Sequence, residues 1–386
     1  MKIKAPQLNK TILILILVLI SCSKEKEETL SSEPEEKLTS EELVFLQNIA
    51  KVDKDMNQFW EGFNSVRKTP IFILTQPDNG ILLNPPAIEI SNSRLIPNEL
   101  GMGLENFKAY RNDQILDHAL VELNSPDESS LFSFVFNPSH KIMYYNLTYD
   151  LTGSFYNEYK NRNGYFHPSV FFHELFHCYH FENHEAFEGD YRNQNLFEYP
   201  INENTLPLLI LLYDVMIDAY HAQDTDQKQK ILSYYVSIQD KLLQLDTTDE
   251  KFIRHHGFYQ EKSEGIARYI EVYSTLYSLN NNTLEDPTHG YKEFAETITE
   301  SIQVYQVYGW RIFYHSGAGV IHLLKELGYP NLERDIFIPE NTPFDLAKSL
   351  LNLTDSELKN ALENAKTEYN WDSLVERSTY LLSLKD

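Results

Sequence analysis

The spacing of apolar and polar positions divides the chain after residue 40 into a short β-rich stretch and a longer helical one. Behind Ser40, Glu41 and Glu42, apolar residues recur at helical spacing to about Phe63, which predicts a capped first helix. Ile71 to Leu74 and Gly80 to Leu83 read as strands joined through Pro77-Asp78-Asn79-Gly80. Leu131 to Phe136 and Lys141 to Tyr149 read as a hairpin across Asn137 to His140, while Gly101 to Asn112 follows neither period. Helical patterning then dominates. Pro168, with His167 or Ser169 near the cap, opens a helix to about Glu182. Asn204 to His221 and Asp226 to Leu245 are amphipathic and read as an antiparallel helical hairpin. Further helices are predicted within Phe252 to Leu279, Tyr291 to Val307 and Trp310 to Leu327, and from the capping box Thr354-Asp355-Ser356-Glu357 to near Tyr369. The fold class expected is α+β, predominantly helical, with a small N-terminal sheet.

The first 40 residues follow other rules. Lys2, Lys4 and Lys10 precede an apolar core from Ile12 to Ile20, too short for the roughly 20 residues of a spanning helix and fitting a cleaved export signal over 1–21. Leu19-Ile20-Ser21-Cys22 resembles the bacterial lipobox, which implies cleavage before Cys22 and lipid attachment to it. Residues 22–40, rich in Ser, Glu, Lys and Pro, bury too little apolar surface to fold and read as a disordered acidic tether. Within it Lys26-Glu27-Glu28 resembles the signal that carries lipoproteins of the Bacteroidetes to the outer face of the outer membrane, although a solvated spacer has the same composition. The expected location is the bacterial cell envelope, anchored by lipid, at the outer membrane.

Residues 41–386 are then one domain, with the N-terminal helix and sheet in 41–166 and the helical part in 167–386. The 42% hydrophobic content of the whole chain fits a globular fold, and a formal net charge of −24 without a basic cluster makes nucleic acid a poor partner. Only Cys22 and Cys178 exist, so lipidation of Cys22 leaves no intramolecular disulfide. Cys178 reads as a small core residue rather than a ligand.

The sharpest chemical signal is His173-Glu174-Leu175-Phe176-His177. On a helix the two histidines lie one turn apart on one face, where both imidazoles can bind a single Zn²⁺, and Glu174 between them can activate a water held there. Composition alone yields this pattern in roughly 4 per cent of comparable chains, so it needs a third ligand. His180 is seven residues from His173, a rise of about 10.5 Å, too far to share one ion; His180 and His184 read as outlying residues. Glu264 is the better candidate. It lies in Ser263-Glu264-Gly265-Ile266-Ala267-Arg268-Tyr269-Ile270-Glu271, whose polar stripe of Glu264, Ala267, Arg268 and Glu271 opposes an apolar face.

These residues resemble the gluzincin class of zinc peptidases, in which H-E-x-x-H on one helix is completed by a Glu on a later helix, often within Glu-Gly-x-Ala. The resemblance implies a zincin-like catalytic domain, one Zn²⁺ per chain on His173, His177 and Glu264, and Glu174 as general base. The spacer between His177 and Glu264 is longer than in the thermolysin and aminopeptidase branches, which places the helical hairpin as an insertion and brings the chain nearest to uncharacterised secreted peptidase-like families. A surface i,i+4 pair of Glu264 with Arg268 is the competing reading. Glu271 reads as a partner of Arg268 or an acceptor for a ligand histidine. For the oxyanion donor, Tyr314, three residues before Gly317, resembles the Tyr-x-x-Gly of some gluzincins, ahead of His315, with His255 and His256 as rivals. Gly317 and Gly319 in a helical pattern imply a close backbone approach. The strand from Ile142 to Thr148 is the expected edge for an extended peptide or protein substrate. The function expected is peptide-bond hydrolysis by a lipid-anchored metallopeptidase. A catalytically silent, peptide- or protein-binding lipoprotein on the same scaffold is the alternative.

Overall fold

Thr39, one residue ahead of the expected Ser40, caps the first helix, α1 (Ser40–Phe59). Its hydroxyl accepts from the Glu42 amide at 3.2 Å, and the Glu42 carboxylate accepts from the Thr39 amide at 2.9 Å. Glu42 also ties the helix to the sheet, because Arg111 donates to its two oxygens at 2.7 and 2.9 Å in a buried bidentate pair. Burial works to raise the Glu42 pKa, but Arg111 and the other donors outweigh it and hold the carboxyl below its ordinary value.

The computed structural model describes residues 38–76, 79–85, 93–97, 108–112, 134–137, 142–147, 166–183, 196–281 and 295–384. The expected export signal, Cys22, nearly all of the expected tether and His184 lie outside the described residues, as do parts of the segments expected to be strands. Six strands are described: β1 (Ile71–Gln76), β2 (Asn79–Leu83), β3 (Arg94–Leu95), β4 (Ala109–Arg111), β5 (Phe134–Asn137) and β6 (Ile142–Asn146). They form one mixed sheet in the order β3-β4-β2-β1-β6-β5, in which only β1 and β6 run parallel. β1 and β2, read as two strands with turn residues between them, pair antiparallel, and β5 pairs antiparallel with β6 from Phe134↔Tyr145 to Asn137↔Ile142, as the hairpin expected there requires. β4 gives part of the irregular 101–112 stretch a strand, too short for a period-2 pattern to register.

Alternation then decides which side chains reach the helices. Ile71, Ile73, Ile81, Leu83, Met143 and Tyr145 join the main core, while Phe72, Leu74, Leu82, Ile142 and Tyr144 form a separate cluster. Tyr145 stacks on Phe45 of α1 at 5.8 Å and meets Phe171 edge-on at 5.5 Å. Phe171 belongs to the second long helix, α2 (Phe166–Asn183), so β6 seats the helix bearing His173 and His177. That helix starts two residues before Pro168; a proline in the first turn lacks only an amide that would have no intrahelical acceptor.

The expected hairpin follows as α3 (Leu206–Ala219) and α4 (Thr225–Leu245), the latter capped by Asp224. A continuous helical run then contains α5 (Tyr259–Tyr269), preceded by a π-helical segment Ile253–Phe258 and followed by another, Ile270–Leu276, and a last turn Tyr277–Leu279. α6 (Ser301–Gln306) passes through a third π segment, Val307–Arg311, into α7 (Ile312–Glu326). The expected break between Val307 and Trp310 is therefore absent; Gly309 is absorbed by the wide π turn. The chain instead breaks before Ser301, where Glu300 and Gln303 form a capping box. Thr354 starts α9 (Asp355–Glu368) as expected, between two helices the patterning did not predict, α8 (Pro343–Leu351) and α10 (Trp371–Ser383). The fold is α+β and predominantly helical, and residues Leu38–Asp386 cluster as one unit. No helix among the described residues is long and apolar enough to cross a membrane.

Candidate metal centre

α2 is apolar around most of its circumference, with Phe171, Phe172, Leu175, Phe176 and Cys178 all fully buried. Phe176 packs edge-on against Trp60 and Phe63 at 5.3 and 5.1 Å, and this aromatic contact together with Phe171 fixes the rotation of the helix. The i,i+4 spacing then brings the rings of His173 and His177 to 5.0 Å between centroids and their Nε2 atoms to 3.3 Å.

Glu264 arrives from α5. Its Oε2 lies 3.2 Å from His177 Nε2 and 3.4 Å from His173 Nε2. Three atoms from two helices thus form a nearly equilateral triangle with edges of 3.2, 3.3 and 3.4 Å. Bonds of about 2.0–2.1 Å in a tetrahedron require ligand–ligand edges of about 3.3–3.4 Å, so the triangle has the dimensions of one face of a tetrahedral zinc site. The donors, two imidazole nitrogens and a carboxylate oxygen, also suit that ion. The three side chains keep 9, 13 and 20% of their surface exposed, so the cluster opens to solvent on one side.

The depth of α5 is set by glycine. A Cβ added to Gly265 would lie 2.5 Å from the Cα of Gly317, and one added to Gly317 would lie 2.7 Å from the Cα of Gly265. α5 and α7 therefore cross backbone to backbone beside Glu264, the close approach that glycines in a helical pattern implied. Gly319 meets Met216 of α3 instead.

A second carboxylate steadies the first histidine. His173 Nδ1 lies 3.2 Å from Glu271 Oε2, and the other oxygen of Glu271 accepts from Arg268 Nη1 at 2.5 Å. With Nδ1 donating to Glu271, the lone pair of His173 sits on Nε2, facing His177 and Glu264. Glu264 and Glu271 are seven residues apart, about two turns, so one helical run grips both nitrogens of one ring. Arg268, buried, supplies the charge that offsets Glu271 and is not a surface partner of Glu264.

Electrostatics separate the two acids nearest the histidines. Burial works to raise the Glu264 pKa, but His177 and His173 outweigh it and hold the carboxyl far below its ordinary value, as an anion. Burial pushes Glu174 the other way, upward, and the Glu264 charge adds to that while the two histidines oppose it. A carboxyl raised in this way keeps its proton to higher pH than an exposed one.

The two candidates on α7 part company. Tyr314 lies beside the site, its ring nearly parallel to His173 at 6.1 Å. His315 is buried against Tyr213 and Tyr220 of the α3 side, each at 5.2 Å, because the next residue of a helix points about 100° away. His255 and His256, on the π segment before α5, contact the carbonyls of Glu250 and Gly309 at 2.7 and 2.9 Å and stand apart from the cluster. His180 packs on Phe337 at 4.9 Å, and Cys178 is a buried thiol in the core. The strand expected at the substrate edge is also displaced: β6 lies between β1 and β5, so the edge on that side of the described sheet is β5. Glu261, one turn before Glu264, escaped the sequence reading, since a polar residue at that spacing has no signature apart from a solvent-facing one.

Site and fold together define an α+β protein with a His₂Glu cluster built on two helices, able to hold a metal ion. Compared with protein-family models, with curated proteins and with solved structures, the chain returns no match.

Proposed function

We propose that this chain is a zinc-dependent hydrolase of peptide bonds on a zincin-like scaffold, tethered to the bacterial cell envelope through lipid on Cys22. The ligand triangle carries the reading: three donors of the zinc-binding kind at tetrahedral-face spacing, two from one helix and one from a distant one, with Glu174 between the two histidines. The lone, well-ionised Glu264 is the anionic ligand, and Arg268 with Glu271 holds His173 in the donor tautomer. His173, His177 and Glu264 would hold Zn²⁺, which when bound would supply Lewis acidity toward the scissile carbonyl and a water. Glu174 takes the proton from the attacking water and returns it to the leaving amine. Tyr314 donates its hydroxyl to the oxygen that gains charge.

Elemental analysis of purified protein, after equilibration with zinc and removal of excess, should find one zinc per chain. E174Q should keep the zinc and lose about 10²–10⁴-fold in turnover of a peptide library. Wild-type protein that takes up no zinc overturns the reading. Zinc without cleavage of any library member replaces it with the silent binding lipoprotein.

A further inference from the structure

Glu261 is completely buried, yet no cation faces it among the partners of its carboxylate. Its oxygens accept from three neutral donors on two other helices: Tyr235 Oη at 2.6 Å and Gln239 Nε2 at 2.9 Å on α4, and Ser316 Oγ at 2.5 Å on α7. Stability alone does not account for such a group, because a buried charge replaced by a well-packed apolar side chain is often neutral or stabilising. Its position offers another account. Ser316 adjoins Gly317, and Glu261 lies one turn before Gly265, so the carboxylate bridges α5 and α7 beside their glycine crossing. Two glycines in contact present no side-chain ridges, and ridges lodged in grooves are what stop one helix sliding along another. The hydrogen bonds supply the missing lock. They act one turn from Glu264 on α5 and two residues from Tyr314 on α7, and Tyr235 and Gln239 draw the hairpin into the same register.

We propose that Glu261 is a positioning residue of the metal centre, fixing the axial register of α5 against α7 and α4 so that Glu264 completes the triangle with His173 and His177. The inference rests on the metal reading above. A slip of one residue along a helix is about 1.5 Å, enough to carry a ligand atom out of a site whose bonds are about 2 Å.

Zinc affinity of the full chain, by competition with a chromophoric chelator, separates the two ideas when wild type, S316A, E261Q and E261L are measured well below the unfolding temperature of each metal-free protein. S316A and E261L should stay folded and bind zinc about 10-fold or more weakly, while E261Q, which keeps an acceptor oxygen, should recover most of the affinity. Folded S316A and E261L with wild-type affinity overturn the proposal, whatever their stability; if E261L fails to fold, S316A and E261Q decide. Wild type that binds no zinc sinks the metal reading itself, a distinct result.

Discussion

His173 is held on three sides, by Glu264 at Nε2, Glu271 at Nδ1 and the Tyr314 ring alongside. Under the proposed function Tyr314 donates to the substrate oxygen, so Y314F should lower kcat by about 10²-fold with zinc content unchanged, as steady-state kinetics and elemental analysis on one preparation would reveal. Glu261 gives a prediction in stability. Burial, only partly countered by Ser316, Tyr235 and Gln239, pushes its pKa up to about 7 from an ordinary value of 4.5. A raised carboxyl favours the folded state most when protonated. Its contribution is complete below the ordinary value and is lost as pH rises through about 7. Urea unfolding in excess chelator should therefore show the wild type losing roughly 3 kcal/mol relative to E261Q between pH 4.5 and pH 8. A pH-independent difference would mean that Glu261 keeps an ordinary pKa.

Among the elements, the crossing of α5 and α7 decides whether a site forms at all. G317A would set a Cβ 2.5 Å from the Glu261 carbonyl oxygen and 2.7 Å from the Gly265 Cα, neither of which can yield without parting the helices. G319A meets the mobile end of Met216 at 2.7 Å. Both changes gain about 1 kcal/mol of helix propensity. G317A should nonetheless destabilise by about 1–3 kcal/mol in urea unfolding, and G319A should be neutral or stabilising. These glycines were legible in the sequence as a demand for close approach, and His173 and His177 as two imidazoles at i,i+4 spacing, while Glu264, on another helix, was legible only through its polar stripe and the resemblance of its Glu-Gly-x-Ala. The π segments were not legible. Val307 to Arg311 reads as a break because its wide turn shifts the apolar phase, although the helix runs on. His315 shows the other limit: the sequence places it next to Tyr314, while only the packing of α3 shows which of the two faces the site. The edge strand failed for a related reason, since strand order depends on pairings that local patterning does not encode.

For the whole molecule, the sheet seats the helices through Tyr145 and the helices carry the His₂Glu cluster, an arrangement that periodicity and length were enough to anticipate as α+β. The expected export signal and the proposed lipidation of Cys22 lie outside the described residues and carry their own test. C22A should remove the protein from the detergent phase in a detergent-partition experiment while leaving zinc content unchanged.

The ligand triangle also has a topological meaning. His177 and Glu264 are 87 positions apart, with α3 and α4 in the interval, so an ion joining them cross-links the chain around a large loop. Such a staple would penalise the denatured ensemble in the way a disulfide does, in a chain whose one described cysteine is a buried thiol. If zinc binds as proposed, folding and occupancy are linked: at a zinc concentration of 100 times the dissociation constant the native state would gain about 2.7 kcal/mol. Chelation should lower the unfolding temperature of the wild type by several degrees and leave that of a Glu264→Ala variant where it was.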